Sequence, residues 1–300
     1  MTGSVINALD DSAAAHAAFR VDDTVVGRAE ASGMFTVGFP AVGLNRAVLT
    51  ASGFVERQTG IPAPGSSLHL SLIPTGFDLA SFDEMFRHSP AGLTRWRSAP
   101  ALLIERRVFQ FRSVSADTYE PTGESLTAEE AGTLAADMLA GYALLTDGRL
   151  GPISSVRVQE SEAGGPVTPR RDRTIVVTRH AGLTAATGYW GYARWSTTPD
   201  GEVTSAIILL DRDFDHAAGP HRASVRKHEL GHALGCHHVT NRASVMNSHA
   251  RNEPNAFDRQ AARLAALRPT GNRTPDIDPV SQSATAAARS GQALTWHGAH

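Results

Sequence analysis

The sequence predicts an α+β protein: a twisted mixed sheet with one long helix laid across it, a second helix carrying a histidine-rich motif, and a closing C-terminal helix. A small antiparallel β module precedes this body. Three observations predict it. Short apolar runs separated by glycines fill residues 20–75, strands alternate with one helical stretch from about residue 100, and a final helical period closes the body near residue 268.

The chain has 300 residues, enough for two domains, and 41% of them are hydrophobic, so a sizeable core needs no staples. Cys236 is the only cysteine, which excludes an intramolecular disulfide and a cysteine-based zinc site. The net charge of −2 comes from interspersed charges, so no basic stripe points to nucleic acid or an anionic surface. No stretch reaches the roughly 20 apolar residues of a membrane span. Met1–Ala18 has no basic region followed by an apolar run, so it does not read as a signal peptide.

Residues 1–19 are expected to be a flexible lead-in. Across 20–75, strands are expected at Thr24–Val26, Met34–Val37, Ala47–Thr50 and Leu68–Ile73, with Gly33, Gly43, Gly53 and Gly60 as turn positions of a sandwich-like module. Residues 76–99 read as a linker with a short helix at Asp78–Phe86. The body, 100–268, opens with a strand at Leu102–Val114. Thr127 and Glu130 have the spacing of a capping box, and Ala131, Leu134, Ala135, Met138, Tyr142 and Leu145 recur at helical spacing up to Gly148. Strands are then expected at Ile153–Val158 and Thr174–Thr178, around a Gly164-Gly165-Pro166 loop, and at Tyr189–Ser196 and Val203–Leu210. This order implies a mixed, mostly parallel sheet. Phe257, Ala261, Leu264 and Leu267 mark a closing helix within 251–268, its first turn broken by Pro254. Residues 269–300, rich in Thr, Pro, Ser, Ala and Gly, are expected to be a disordered tail.

The chemistry concentrates between His228 and His238. Residues four apart on a helix lie about 40° from one another, so His228 and His232 offer imidazoles from one face to a single ion. Glu229 stands beside them, placed to address a ligand of that ion. Gly235 is where the helix must end, since glycine adopts the left-handed backbone that side chains resist. Turning there swings His238 back as a third ligand; His237 is the rival. Three imidazoles with a fourth position open describe a catalytic zinc site.

His228-Glu229-x-x-His232-x-x-Gly235-x-x-His238, followed by Ser244-Val245-Met246-Asn247, resembles the metzincin zinc peptidases, whose extended motif is followed by a methionine turn. The resemblance covers about residues 100–268 and is matrixin-like in its spacing from His238 to Met246. Val239, and the lack of a Pro-Arg-Cys-Gly segment, depart from the better-known families and leave the subfamily open. The resemblance implies a metzincin-like twisted mixed sheet with an active-site helix, an extracellular setting, one catalytic Zn2+ and a peptide or protein substrate. It implies a metalloendopeptidase in which Glu229 activates the hydrolytic water. The alternative is a catalytically inactive zinc-containing binding protein of the same fold; a self-processing peptidase with one narrow substrate is a third reading. Substrate is expected along an exposed sheet edge formed by Gly191, Tyr192, Ala193, Arg194 and Trp195, with Trp195 setting cleavage preference. Met246 is expected as a hydrophobic floor, Cys236 as a small buried hydrophobe or a regulatory thiol, and His180, His221 and His249 as surface or loop histidines. Asp211, Asp213, Asp215 and His216 read as a solvated acidic turn, or else as a site for a structural Ca2+ or second Zn2+.

Overall fold

In a computed structural model, residues 1–65, 67–161, 171–217, 219, 221–249 and 252–279 are described, with 293–299 described as backbone. The fold is mixed α+β. The first seven strands are β1 (Thr2–Asn7), β2 (Ala18–Val21), β3 (Thr24–Arg28), β4 (Met34–Thr36), β5 (Gly43–Thr50), β6 (Arg57–Ala63) and β7 (Ser67–Leu72). They form two sheets, ordered β4-β1-β7 and β3-β2-β5-β6. Alternate apolar residues from both, among them Val5, Phe35 and Leu72 from one and Phe19, Leu49 and Ile61 from the other, share one core.

Two expectations fail here. The segment 1–19 is not flexible: β1 pairs with β7, and Val5 is buried. That pairing is parallel, so the module is not wholly antiparallel. Thr2–Asn7 has only two strongly apolar residues, too few to announce a strand without its partner in view.

Helix α1 (Leu79–Phe86) starts at Asp78, whose side chain accepts from Ser81 N. The body then runs β8 (Ala101–Gln110), β9 (Glu120–Ser125), α2 (Ala128–Leu145), β10 (Val156–Gln159), β11 (Thr174–Ala181), α3 (Leu183–Thr187), β12 (Gly191–Thr197), β13 (Val203–Asp211), α4 (Arg212–His216), α5 (Arg222–Ala233) and α6 (Ala256–Ala266). The expected capping box of α2 is formed, with Thr127 accepting from Glu130 N at 3.1 Å and Glu130 accepting from Thr127 N at 2.8 Å. Helix α6 begins after Pro254, with Asn255 as its cap and Asp258 closing a second capping box. The Gly164-Gly165-Pro166 loop lies outside the described residues.

The large sheet is open and mixed, in the order β10-β8-β11-β13-β12 with β9 beside β8. Strands β10, β8, β11 and β13 run parallel, and β12 is antiparallel to β13. Side chains alternate between the faces. Ile175, Val177, Ala193, Trp195, Ile208 and Leu210 point into the core shared with α2 and α5, whereas Val176, Ile207 and Leu209 join a smaller cluster on the other face.

Of the region expected to be a disordered tail, residues 269–279 are built in, and 280–292 lie outside the described residues. Arg268 is fully buried, with Nε and Nη2 each 2.6 Å from a carboxylate oxygen of Asp276 and Nη1 2.6 Å from Ser71 Oγ. Asn272 donates to Asp276 and Asp278, and Arg57 of β6 pairs with Asp278 at 2.8 Å. Backbone bonds between Gln58 and residues 276 and 278 complete the join. Polar composition suggested exposure, but here each buried charge meets an opposite one, which composition does not register. Farther on, Ala293–Ala299 forms β14, antiparallel to β12 on its outer side.

Candidate metal centre

Helix α5 lies over β12 and β13, held there by a buried clamp. Arg226 meets both oxygens of Asp215, at 2.7 and 2.8 Å, and Asp137 of α2 at 2.6 Å. Arg179 of β11 also reaches Asp215, at 2.6 Å. The acidic stretch 211–216 is therefore solvated only in part: Asp213 and His216 are exposed, whereas Asp211 and Asp215 are buried. Asp211 caps α4 and accepts from Thr184 N, Asp215 carries two arginines, Asp213 pairs with Arg212, and His216 pairs with Glu130. With these groups satisfied by protein donors, the stretch does not form the structural calcium or second zinc site considered for it. Among the described residues, the grouping able to hold a metal is His228, His232 and His238.

That grouping forms because α5 stops where expected. Gly235 has φ of +102°, and Cys236 N reaches back to Gly231 O at 3.0 Å. The chain reverses, with Thr94 Oγ1 donating to Gly235 O at 3.0 Å, and brings His238 alongside the helix. The three Nε2 atoms lie 3.0, 3.2 and 3.3 Å apart. His237 goes the other way: its N–H donates to Met85 O, and its ring packs edge-on against Trp195 at 5.3 Å.

The tautomers follow from the partners. His228 Nδ1 is 2.7 Å from Val245 O, and His232 Nδ1 is 2.7 Å from Cys236 O. A carbonyl only accepts, so both Nδ1 atoms carry the proton and both Nε2 atoms present lone pairs. Two acceptors 3.0 Å apart repel unless a cation lies between them. A tetrahedral zinc with Zn–N bonds of about 2.0–2.1 Å spaces its nitrogens by about 3.3 Å, so this donor set fits one.

Three features escaped the sequence reading. Asp258 accepts from Ser244 Oγ at 2.6 Å and from Val245 N at 3.1 Å, which fixes the turn whose Val245 carbonyl holds His228. Its spacing from Asn255 announces a helix cap, but nothing local announces the turn it grips. Gly191 lies so close to Glu229 that a Cβ would come within 2.7 Å of its Cγ, confining the acid between α5 and the start of β12. His180, expected at the surface, is fully buried with Nε2 2.9 Å from Thr178 Oγ1. Burial, aided by the Arg194 charge, drives its pKa down to about 3.

The other expected residues divide. Met246 is fully buried beneath α5, its sulfur against Gly231. Cys236 is buried and its thiol is pushed up by burial, so it is an inert hydrophobe rather than a reactive thiol. His221 precedes α5 and stacks on Trp190, and His249 is exposed. Tyr192, Ala193, Arg194 and Trp195 do lie on β12, but its outer side is covered by β14 rather than open. Trp195 faces inward, 1% exposed, with its ring stacked on His232 at 5.9 Å and 9°. Strand alternation turns it into the core, so it supports the His232 ring and cannot line a peptide groove. The Tyr192 hydroxyl is pushed up by burial, with the charges of Tyr189 and Glu229 adding to it.

No family model and no curated protein matches this chain. Among the described residues, no helix is long and apolar enough to cross a membrane.

Proposed function

We propose that the protein is a zinc-dependent metalloendopeptidase with a metzincin-like, matrixin-like catalytic domain. The observation that carries this is the convergence of three imidazole Nε2 atoms, two with Nδ1–H committed to backbone carbonyls, on the helix turn that also bears Glu229. The mixed sheet, whose antiparallel strand β12 runs beside the motif helix, supports the same reading.

His228, His232 and His238 would hold the ion, and zinc there supplies Lewis acidity towards water and the scissile carbonyl. Glu229 removes a proton from the attacking water through a carboxylate oxygen and delivers it to the amine nitrogen as the C–N bond breaks. Gly191 keeps that carboxylate from swinging away, because its missing Cβ leaves just the space the acid fills. Trp195 and the Cys236 carbonyl keep the His232 ring in one plane, and Asp258 does the same for His228 through the Val245 turn. With β14 displaced, the backbone of β12 would give an extended peptide a ladder to join.

Purified protein should contain about one zinc and cleave a quenched peptide library, with cleavage abolished by chelator and restored by zinc. A chain that holds zinc and cleaves nothing, even with the outer edge of β12 uncovered, would sink the peptidase and leave the inactive zinc-binding protein.

A further inference from the structure

Strand β14 lies where the proposed peptidase would receive its substrate. It pairs antiparallel with every residue of β12, from Gly191 opposite Ala299 to Thr197 opposite Ala293. It also approaches α5, the helix that carries His228, Glu229 and His232. It therefore continues the sheet beside β12 and close to the motif helix, rather than extending it at a distance from the site. Without it, β12 would be the outermost strand beside the imidazoles, with a row of backbone donors and acceptors facing outward.

We infer that Ala293–Ala299 is a tethered occupant of the peptide-binding edge, holding the enzyme latent until it is displaced by an extended polypeptide that pairs antiparallel with Gly191–Thr197. This inference rests on the peptidase reading. The register decides between inhibitor and substrate. Gly191 abuts Glu229 and pairs with Ala299, so the acid lies at the C-terminal end of β14. A cut at that end would leave Ala293–His297 attached to the body and still on the ladder. The segment blocks the edge without being consumed.

Attachment through the chain makes the pairing intramolecular, so free peptide competes against an effective concentration on the order of millimolar. A short peptide then meets a site that is only fractionally open, and its apparent affinity falls by that fraction. A long unfolded polypeptide, able to form the whole seven-residue ladder, competes better.

The test uses the full chain with Thr295→Pro and Trp296→Pro together. In an antiparallel ladder neighbouring residues alternate in facing the partner, so one of the two prolines must remove an N–H directed at β12. The variant should cleave a short quenched peptide with kcat/KM raised on the order of tenfold or more, chiefly through a lower KM. Zinc content should be unchanged, and those amides of Tyr192–Thr197 directed at β14, alternate residues of the strand, should lose protection from hydrogen exchange. If both chains cleave at equal rates, the covering strand is no inhibitor and the inference is overturned while the peptidase stands. If neither chain cleaves with zinc bound, the peptidase reading itself falls and takes the inference with it.

Discussion

Around Arg268, every guanidinium nitrogen has an acceptor, and the carboxylates of Asp276 and Asp278 are shared out among Arg268, Asn272 and Arg57. Around His232, the protein supplies carbonyls to the outer ring nitrogens and then aims the inner ones at each other. Both clusters are largely buried, but the first joins distant parts of the chain and the second lies within residues 228–245. The first is closed: its charges cancel and nothing further is called for. The second is directed at a point that only a cation can share. Burial of polar groups therefore does not distinguish structure from function in this molecule, whereas the closing of the bonds does.

The largest effect that would break this contrast is at Glu229. Glu229→Gln should lower kcat/KM by about 10²–10⁴-fold while zinc content and unfolding midpoint stay near the parent values; retained turnover would put the proton transfer elsewhere. The closed cluster should answer in the opposite currency. Asp276→Ala leaves Arg268 buried without its carboxylate and should cost about 3–5 kcal/mol of stability by denaturant titration, with zinc content per folded molecule unchanged. Loss of zinc in that variant would mean that the two clusters are not separate.

Gly191→Ala sharpens the comparison, because it moves the acid and touches neither a ligand nor an ion pair. Activity should fall on the order of 10²-fold with zinc retained, a misplacement effect of the size that small shifts of catalytic groups produce. Smallest is a pH effect on the other closed cluster. The Thr127 N–H foremost, with His216 and Arg179, holds the Glu130 carboxyl at about 2, below its ordinary 4.5. A carboxylate depressed in this way stabilises the fold above its unfolded pKa and loses that contribution as pH falls from about 4.5 towards 2. The stability difference between the parent and Glu130→Gln should shrink over that interval, and a gap constant with pH would exclude the ionised form as its source.

Most of the centre was legible because its information is local. His228, Glu229, His232, Gly235 and His238 fall within eleven consecutive positions, and helix geometry alone orders them. The α2 capping box and the α6 period were readable for the same reason. What was not readable depends on partners far away in the chain. The pairing of β1 with β7, the burial of Arg268 against Asp276, and the seat of His180 behind the sheet are each decided by residues that no window contains. The reading of the tail failed over 269–279 because a polar composition is compatible either with solvent or with a complete set of internal partners. Trp195 was placed on the right strand and given the wrong direction, since an edge strand beside a helix buries one of its two faces in either case.

The bond between Arg57 and Asp278 joins residues 221 positions apart in the chain. During synthesis the first strands leave the ribosome long before their counter-ion is made, and the arginine must wait in water for residue 278 to emerge. Domains usually complete themselves in order of translation, N-terminal first. Here Arg57 of the opening module gains its partner only after the histidine-bearing helix α5 has been made, so a ribosome stalled ahead of residue 278 carries a nascent chain with its first layer still unlatched.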